Sequence, residues 1–282
     1  MRVVRHYPTR TILCHFDGCA EYADMVRTRI PTLPSYYPSG WVGETYDDTL
    51  RRAKEGDTTL VPQAEALIER LTVDAQRESR QWVADRAGAY PVVPDYLMGR
   101  PENMRRLTPQ RNDRAPIKMY VGLDASAGVS APDMVKRGTA ILALALLLNA
   151  ERAVEIHTLV GLDTSLDGYR GAFCVVPLGT SPLDIAVACN ALTSVGFWRS
   201  MGFQFLQQSP ETKAVGGWEW GISPDTDALR RVYVARLREA LCATAEDIII
   251  PAVSMNDPSV RDPLGFVQRS LADALKIEEQ DA

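Results

Sequence analysis

Three short segments in the second half of the chain carry oxygen-bearing side chains, and each directly follows an apolar run. They are residues 124–128 (DASAG), 179–184 (GTSPLD) and 254–257 (SMND). In open α/β sheets, ligands bind at the carboxyl ends of the strands. Mg²⁺ prefers about six oxygen ligands and keeps some of its waters, so two carboxylates and two hydroxyls could hold one ion. The sequence therefore predicts that these loops meet at one edge of a sheet.

Each of these side chains also has a purely structural interpretation. Asp124 ends a predicted strand, where a carboxylate can bond the backbone of the following turn. Thr180 and Ser181 precede a predicted helix and are typical N-cap residues. Asp257 lies in the sequence MNDP, which is typical of a turn. Both interpretations stay open, and the expected convergence of the three loops favours a shared ligand.

From residue 116 onward, apolar runs of strand length alternate with helical patterns. Strands are predicted at 117–123, 153–162, 171–178 and 247–253, and helices at 130–149, 182–198, 225–242 and 264–275. Ser130 with Asp133, and Ser181 with Asp184, have the spacing of a capping box, and Pro132 suits a first helical turn. This order predicts a doubly wound α/β fold, in which helices cover both faces of a mainly parallel sheet.

Residues 1–115 follow a different pattern, which predicts a mostly helical N-terminal extension packed on an α/β domain of residues 116–282. The pattern predicts a strand at 11–16, helices at 19–29, 44–55 and 58–87, and an extended loop at 31–43. Proline and glycine then interrupt regular structure repeatedly over residues 88–107.

The three loops resemble, in the same order along the chain, the metal-ion-dependent adhesion site of von Willebrand factor A (VWA) domains. DASAG is similar to the family's Asp-x-Ser-x-Ser element, LGTSPLD to its threonine loop, and SMND to the segment with its second aspartate. The resemblance implies a VWA-like (Rossmann-like) fold and a bound Mg²⁺ or Mn²⁺. The metal ligands that it implies are Asp124, Ser126, Thr180 and Asp257. Gly128 departs from the pattern because the family has a serine there, so Ser130 or a water would have to supply the missing oxygen.

The resemblance also implies a function. In VWA domains a carboxylate of a partner protein fills the open position on the metal, which implies a non-catalytic protein-binding adaptor with an acidic partner. Cytoplasmic relatives often serve AAA+ ATPases, so such an ATPase is an expected partner by analogy. Residues 40–57 and 88–107 are similar to segments of an uncharacterised family encoded by phages and other mobile elements. That similarity implies a phage protein, located in the host cytoplasm or in a virion.

Three other functions stay open at this level. The chain could be a structural or virion protein whose VWA-like half is a metal-free scaffold, as the glycine at position 128 would allow. It could be a metal-assisted phosphoester or nucleotide hydrolase, although the same carboxylates are the only candidate bases. It could bind nucleic acid through an arginine-rich stretch at 100–114. The weaker binding candidates are Ser130, Ser181, Arg100, Arg105 and Arg106.

Composition narrows the classes of protein that the chain can belong to. The 282 residues are 46% hydrophobic and carry a net charge of −5, which argues against general binding to nucleic-acid phosphates. Five scattered cysteines, without a CxxC pair, argue against a disulfide framework or a zinc site and favour the cytoplasm. The N-terminus has no signal-peptide pattern, and the longest apolar run, 139–148, is too short to span a bilayer.

Overall fold

The computed structural model describes residues 1–33, 42–75, 80–86, 90–109, 115–125, 128–164, 170–179, 183–213, 227–253 and 257–280. The chain forms two compact units. The larger consists of Met1–Leu71 and Pro116–Ala282, and the smaller of Thr72–Ala115. The boundary predicted after residue 115 is an edge of the smaller unit, whereas residues 1–71 belong to the larger one. They do so because a strand near the N-terminus pairs with a strand of the C-terminal part.

A six-stranded mixed sheet lies at the centre of the larger unit. The described strands of both units are β1 (Arg2–His6), β2 (Thr11–His15), β3 (Arg80–Asp85), β4 (Tyr90–Pro91), β5 (Met104–Pro109), β6 (Ile117–Gly122), β7 (Val154–Thr164), β8 (Arg170–Pro177) and β9 (Ile248–Ile250). The six-stranded sheet has the order β1-β2-β8-β7-β6-β9, and β3, β4 and β5 belong to the smaller unit. Strand β2 is parallel to β8, and β6 is parallel to both β7 and β9, whereas β1–β2 and β7–β8 are antiparallel. The prediction of an α/β fold with a mostly parallel sheet is confirmed.

Helices connect and cover these strands. The described helices are α1 (Cys19–Arg29), α2 (Tyr46–Glu55), α3 (Val61–Ala75), α4 (Val93–Leu97), α5 (Ala131–Glu151), α6 (Ile185–Thr193), α7 (Phe203–Gln208), α8 (Pro210–Lys213), α9 (Asp227–Ala240), α10 (Pro258–Arg261) and α11 (Pro263–Gln280). A π-helix, Phe197–Gly202, leads into α7. None of the described helices is long and apolar enough to cross a membrane.

Alternating residues of the central strands point to opposite faces of the sheet. Met119 and Val121 of β6 belong to a large core that includes residues of α1, α5 and α6. Tyr120, between them, packs instead with Tyr233 and Leu237 of α9 in a second cluster. Helices therefore cover both faces of the sheet within the larger unit.

Helix α5 crosses from β6 to β7 and begins as predicted. The Ser130 hydroxyl accepts the backbone N–H of Asp133 at 3.3 Å and donates to the Asp133 carboxylate at 2.6 Å. Pro132 lies in the first turn, where its missing N–H costs nothing. The middle of the helix, residues 140–145, is completely buried. The wholly apolar sequence of this segment is thus explained by its place inside the core.

The smaller unit contains a three-stranded antiparallel sheet with the order β3-β5-β4. Helix α4 follows β4. The prediction of one helix over residues 58–87 is wrong, because α3 ends at Ala75 and β3 begins at Arg80. Trp82 and Val83 favour a strand, and pairing with β5 outweighs the helical spacing of the apolar residues.

Other elements differ from the predictions mainly at their ends. Strand β1 was not predicted. The helix predicted at 182–198 begins at Ile185, with Asp184 as its N-cap, and ends at Thr193. The predicted strand at 247–253 is confined to Ile248–Ile250. Most of the loop predicted at 31–43 lies outside the described residues.

The direction of β8 decides which of the three predicted loops share an edge. Strands β6, β7 and β9 run the same way, so their carboxyl ends lie together. Strand β8 is antiparallel to β7, and the N–H of Leu178 bonds the carbonyl of Ile156 near the start of β7. The loop after β8 therefore leaves the sheet at the opposite edge. The predicted convergence is wrong for that loop, but it holds for the loops after β6 and β9, where Ala125 pairs with Val253.

Candidate functional site

Asp124 lies where β6 ends, and its side chain faces the protein interior. The residue is 4% exposed. Its Oδ1 accepts the backbone N–H of Gly161 on β7 at 2.7 Å. Its carbonyl oxygen accepts the N–H of Val253, beyond β9, at 2.8 Å. Asp124 thus links the end of β6 to β7 on one side and to the segment after β9 on the other.

Gly122 is required just before this point because the chain after β9 comes very close to β6. A Cβ atom at position 122 would lie 2.7 Å from the backbone nitrogen of Ala252. That distance is shorter than real Cβ contacts, so a larger residue would push the two segments apart. The glycine therefore allows Asp124 and the segment that leads to Asp257 to share an edge.

Asp257 is the second predicted carboxylate at this edge, and it is 6% exposed. It is the N-cap of α10: its Oδ1 accepts both the backbone N–H of Ser259, at 2.9 Å, and the Ser259 hydroxyl. Its Oδ2 lies 3.3 Å from Nη2 of Arg230 on α9. The structural interpretation of Asp257, as a residue that shapes a turn, is therefore correct.

Arg137 of α5 is the buried cation of this edge, and sequence reasoning missed it. It is 3% exposed, and its Nη2 donates to the carbonyl of Pro251 at 2.7 Å. Its Nε–H has no hydrogen-bond partner. Burial lowers the pKa of Arg137, and the carboxylates of Asp257 and Asp124 act in the opposite direction. Neither carboxylate forms an ion pair with Arg137 among the described contacts, so their effect on its pKa is a longer-range one.

A cavity adjoins the Arg137 side chain at the same edge. Its volume is about 10 Å³, which is room for about one water molecule. Most of its lining residues are apolar, and Arg137 and Ser194 are the polar ones. The lining residues are Leu123, Met134, Arg137, Ala191, Leu192, Ser194, Trp198 and Val253. Arg137 thus lines a small recess whose wall is about as polar as it is apolar.

The described residues do not fit the predicted metal ion at this edge. Asp257 uses both carboxylate oxygens, one in the cap of α10 and one beside Arg230. Asp124 commits Oδ1 to a backbone N–H. The buried Arg137 guanidinium adds a positive charge at the same edge, which opposes the binding of a divalent cation. Among the described residues, no group of three or more His, Cys, Asp or Glu side chains could hold a metal.

None of the other predicted ligands is available, among the described residues, for a metal ion at the edge where β6 and β9 end. Ser126, Thr180 and Ser181 lie outside the described residues. Gly179 and Leu183, which flank two of them, follow β8 at the opposite edge of the sheet. The Ser130 hydroxyl is engaged in capping α5.

The predicted arginine candidates belong to the smaller unit. Arg100 forms an ion pair with Asp95 at 3.0 Å, and its backbone N–H bonds the Asp95 carbonyl. This exposed pair stabilises the turn after α4. Arg105 and Arg106 lie on β5, and their side chains are outside the described part of the chain.

Other groups that could do chemistry are buried in unreactive forms. Burial raises the pKa of the Cys14 thiol to about 11 and that of Cys19 to about 12. Burial also raises the pKa of Cys174 well above its usual value. Since the thiolate is the nucleophile, these three cysteines are core residues and not catalytic ones.

Comparisons with known proteins identify a family without identifying an activity. A search of curated proteins and a search of solved structures each give no match. One family model, described as "Domain of unknown function (DUF7192)", matches residues 3–279. Because the match spans almost the whole sequence, both compact units lie within it. The chain therefore belongs to the DUF7192 family.

Proposed function

We propose that this protein is a non-catalytic adaptor that binds an acidic side chain of a partner protein at the edge where β6 and β9 end. The observation that carries the proposal is the buried guanidinium of Arg137, a residue that lines a small cavity and whose Nε–H has no hydrogen-bond partner. An unsatisfied buried donor is costly, so an oxygen acceptor that reaches it gains a hydrogen bond. A carboxylate acceptor gains a charge-assisted one.

The size of the cavity restricts the ligand. The room at Arg137 suits a single oxygen atom. The space holds no more than the end of a side chain, so a glutamate or aspartate of the partner would place one carboxylate oxygen there.

The resemblance to VWA domains supports the same role in a modified form. In that family the partner's carboxylate reaches a metal ion, whereas here it would reach an arginine. The glycine at position 128 and the charge of Arg137 both favour a site that works without metal. An AAA+ ATPase and a phage origin remain proposals from resemblance alone.

Short capped peptides with one Glu between leucines, and the same peptides with Gln, test this function. Fluorescence anisotropy should show that the Glu peptides bind at least about tenfold more tightly, which corresponds to about 1.4 kcal/mol. Arg137→Met should remove that preference, because it removes the donor but keeps the side-chain stem.

A matched control is Arg152→Met. Arg152 is also buried, but it precedes β7 at the opposite edge and pairs with Glu246 at 2.6 Å. This variant should keep the preference for Glu. Equal binding of Glu and Gln peptides, or an unchanged preference in Arg137→Met, would refute the proposed function.

A further inference from the structure

Residues 93–98 of the smaller unit carry a group of exposed apolar side chains. Val93, Tyr96 and Leu97 lie three and four residues apart on α4, so they share one side of the helix, and Met98 follows directly. They are 60%, 66%, 78% and 60% exposed, in that order. In the rest of the described chain, exposed large apolar residues occur singly. Single ones are ordinary, whereas a contiguous group marks an interaction surface, and we call these four residues the apolar tip.

The apolar tip belongs to a loop that is closed by its own hydrogen bonds. The backbone N–H of Val92 donates to the carbonyl of Asn103 at 2.7 Å. The Asn103 side chain donates to the carbonyl of Arg100 at 2.9 Å. Gly99, with a φ of 69°, turns the chain at the end of α4. The loop therefore has a defined shape that presents the tip.

The backbone N–H groups at the tip have acceptors inside the loop. Those of Tyr96, Met98 and Gly99 donate to carbonyls of the loop at 3.0–3.1 Å, and Pro94 has no N–H. In hydrocarbon, a polar backbone group without a partner is very unfavourable, because no water can reach it. The tip can thus leave water without leaving these donors unsatisfied.

The smaller unit is basic, in contrast to the rest of the chain. Residues 72–115 contain eight arginines, no lysine and six acidic residues, which is a net charge of +2. Because the whole chain carries −5, the remaining residues carry −7. Close to the tip, Asp95 is paired with Arg100 at 3.0 Å, and Glu102 is exposed. Arginine binds phosphate oxygens through two parallel hydrogen bonds, so the charge of this unit suits a surface of phosphate groups.

The small sheet brings arginines to the base of the same loop. Asp85 at the end of β3 and Pro91 of β4 both pair with Met104, the first residue of β5. Arg86 follows β3 directly and is exposed, and Arg105 is the second residue of β5. Both positions lie at the end of the sheet from which the loop extends. Positive charge therefore lies behind the apolar tip, at the depth where lipid head groups would meet it.

We infer that the apolar tip inserts into the surface of an anionic lipid bilayer, with the arginines of the smaller unit against the lipid phosphates. Val93, Leu97 and Met98 enter the outer part of the acyl layer, and the Tyr96 ring lies among the head groups, as amphipathic aromatic rings do. This contact is peripheral and requires no membrane-spanning helix. A second copy of the chain is a poorer partner, because two basic units repel each other. No residue of the Arg137 cavity takes part, so the lipid contact is independent of the proposed function.

Sedimentation of the full chain with vesicles tests the lipid contact. The protein should bind vesicles of phosphatidylcholine and phosphatidylserine, bind those of phosphatidylcholine alone much more weakly, and be released by salt. Tyr96→Ser/Leu97→Ser should weaken binding at least about tenfold, because binding scales with the apolar area that enters the bilayer. Both residues are exposed, so the circular dichroism spectrum should not change. The matched control is Val232→Ser, which removes an exposed apolar side chain of α9 and should bind as the unchanged protein does.

A fluorophore at position 97 reports insertion directly. Leu97→Cys in a Cys242→Ser background carries a single exposed thiol, because the other four cysteines are buried. An environment-sensitive dye such as nitrobenzoxadiazole at this thiol should shift its emission to the blue when anionic vesicles are added. The same dye on Cys242 of the unchanged chain is the control, and its emission should not change.

The lipid contact is refuted if the unchanged protein fails to sediment with anionic vesicles at low salt, or if Tyr96→Ser/Leu97→Ser sediments equally well. Equal binding to phosphatidylcholine alone would remove the role of the arginines and also contradict it. A dimer that the double variant converts to a monomer, without vesicle binding, would make a second copy the occupant. If the double variant does not fold, the dye at position 97 decides: a blue shift supports the lipid contact, and an unchanged emission contradicts it.

Discussion

The Asp124 carboxylate accepts the backbone N–H of Gly161 at 2.7 Å, in a buried hydrogen bond between the end of β6 and the middle of β7. The bond holds the carboxylate at the end of β6, where the candidate site lies. The same side chain thus joins two strands and places a buried negative charge at the candidate site. To separate these two roles of Asp124, a substitution has to remove the negative charge and keep the hydrogen-bond acceptor, or remove both for comparison.

Asp124→Ala removes both the acceptor and the charge. We expect the free energy of unfolding to fall by about 1–3 kcal/mol, because the Gly161 N–H loses its acceptor inside the protein. Asp124→Asn keeps an oxygen acceptor at the same place and should cost less. Urea denaturation of the two variants measures the difference. An equal loss in both would mean that the hydrogen bond to Gly161 contributes nothing beyond the charge.

Ser130 provides a test of capping against metal binding. Ser130→Ala removes the cap of α5 and should lower the free energy of unfolding by about 1 kcal/mol. Ser130→Asp supplies another good N-cap and should restore most of it. Thermal melts with and without MgCl₂ check the result, and the loss should be the same in both. A loss that appears only in the presence of Mg²⁺ would instead make the hydroxyl a metal ligand.

The five cysteines should differ sharply in reactivity. Cys14, Cys19, Cys174 and Cys189 are buried, and Cys242 is exposed. A thiol reagent such as dithionitrobenzoate should therefore modify Cys242 rapidly in the native protein and the other four only after denaturation. Cys242→Ser should abolish the rapid phase. Rapid modification of a second thiol would place one of the four outside the core.

His157 should make the protein less stable in mild acid. Burial lowers the pKa of His157 below the value of about 6.5 that an unfolded chain has, although Glu155, with Oε2 3.8 Å from Nε2, opposes this effect. The folded state therefore binds the proton less readily than the unfolded state. The stability that results is fully present above about pH 6.5 and is lost as the pH falls through the lower folded pKa.

Urea denaturation between pH 5 and pH 7.5, a range centred on the ordinary histidine pKa, measures this dependence. His157→Gln should flatten the decrease on the acid side. His15, whose pKa burial also lowers, accounts for part of the slope that remains. An identical pH profile for His157→Gln would show that His157 does not contribute.

The sequence predicts local structure well where local chemistry determines it. Helix α1 has the predicted limits, and Ser130 caps α5 as its spacing with Asp133 indicates. The direction of β8 follows from pairing across the sheet, and no residue of β8 encodes it locally. For that reason, the spacing of the residues could not show that the chain leaves β8 at the opposite edge of the sheet.

In the candidate site, too, the sequence predicts some residues and misses others. Asp124 and Asp257 were predicted because they follow strands whose carboxyl ends meet. Arg137 was missed, although Lys136 and Arg137 directly precede a long apolar stretch of a helix, and charges at such a place are a usable signal. Trp198 gave no such signal, because its place in the cavity wall depends on the π-helix that follows α6.

The most direct measurement is the Nε–Hε resonance of Arg137, observed by ¹⁵N NMR and assigned by its absence in Arg137→Lys. If Arg137 receives the carboxylate of a partner, titration with the Glu peptide should shift this resonance, and titration with the Gln peptide should leave it in place. Binding of the Glu peptide with no change at Arg137 would contradict the account.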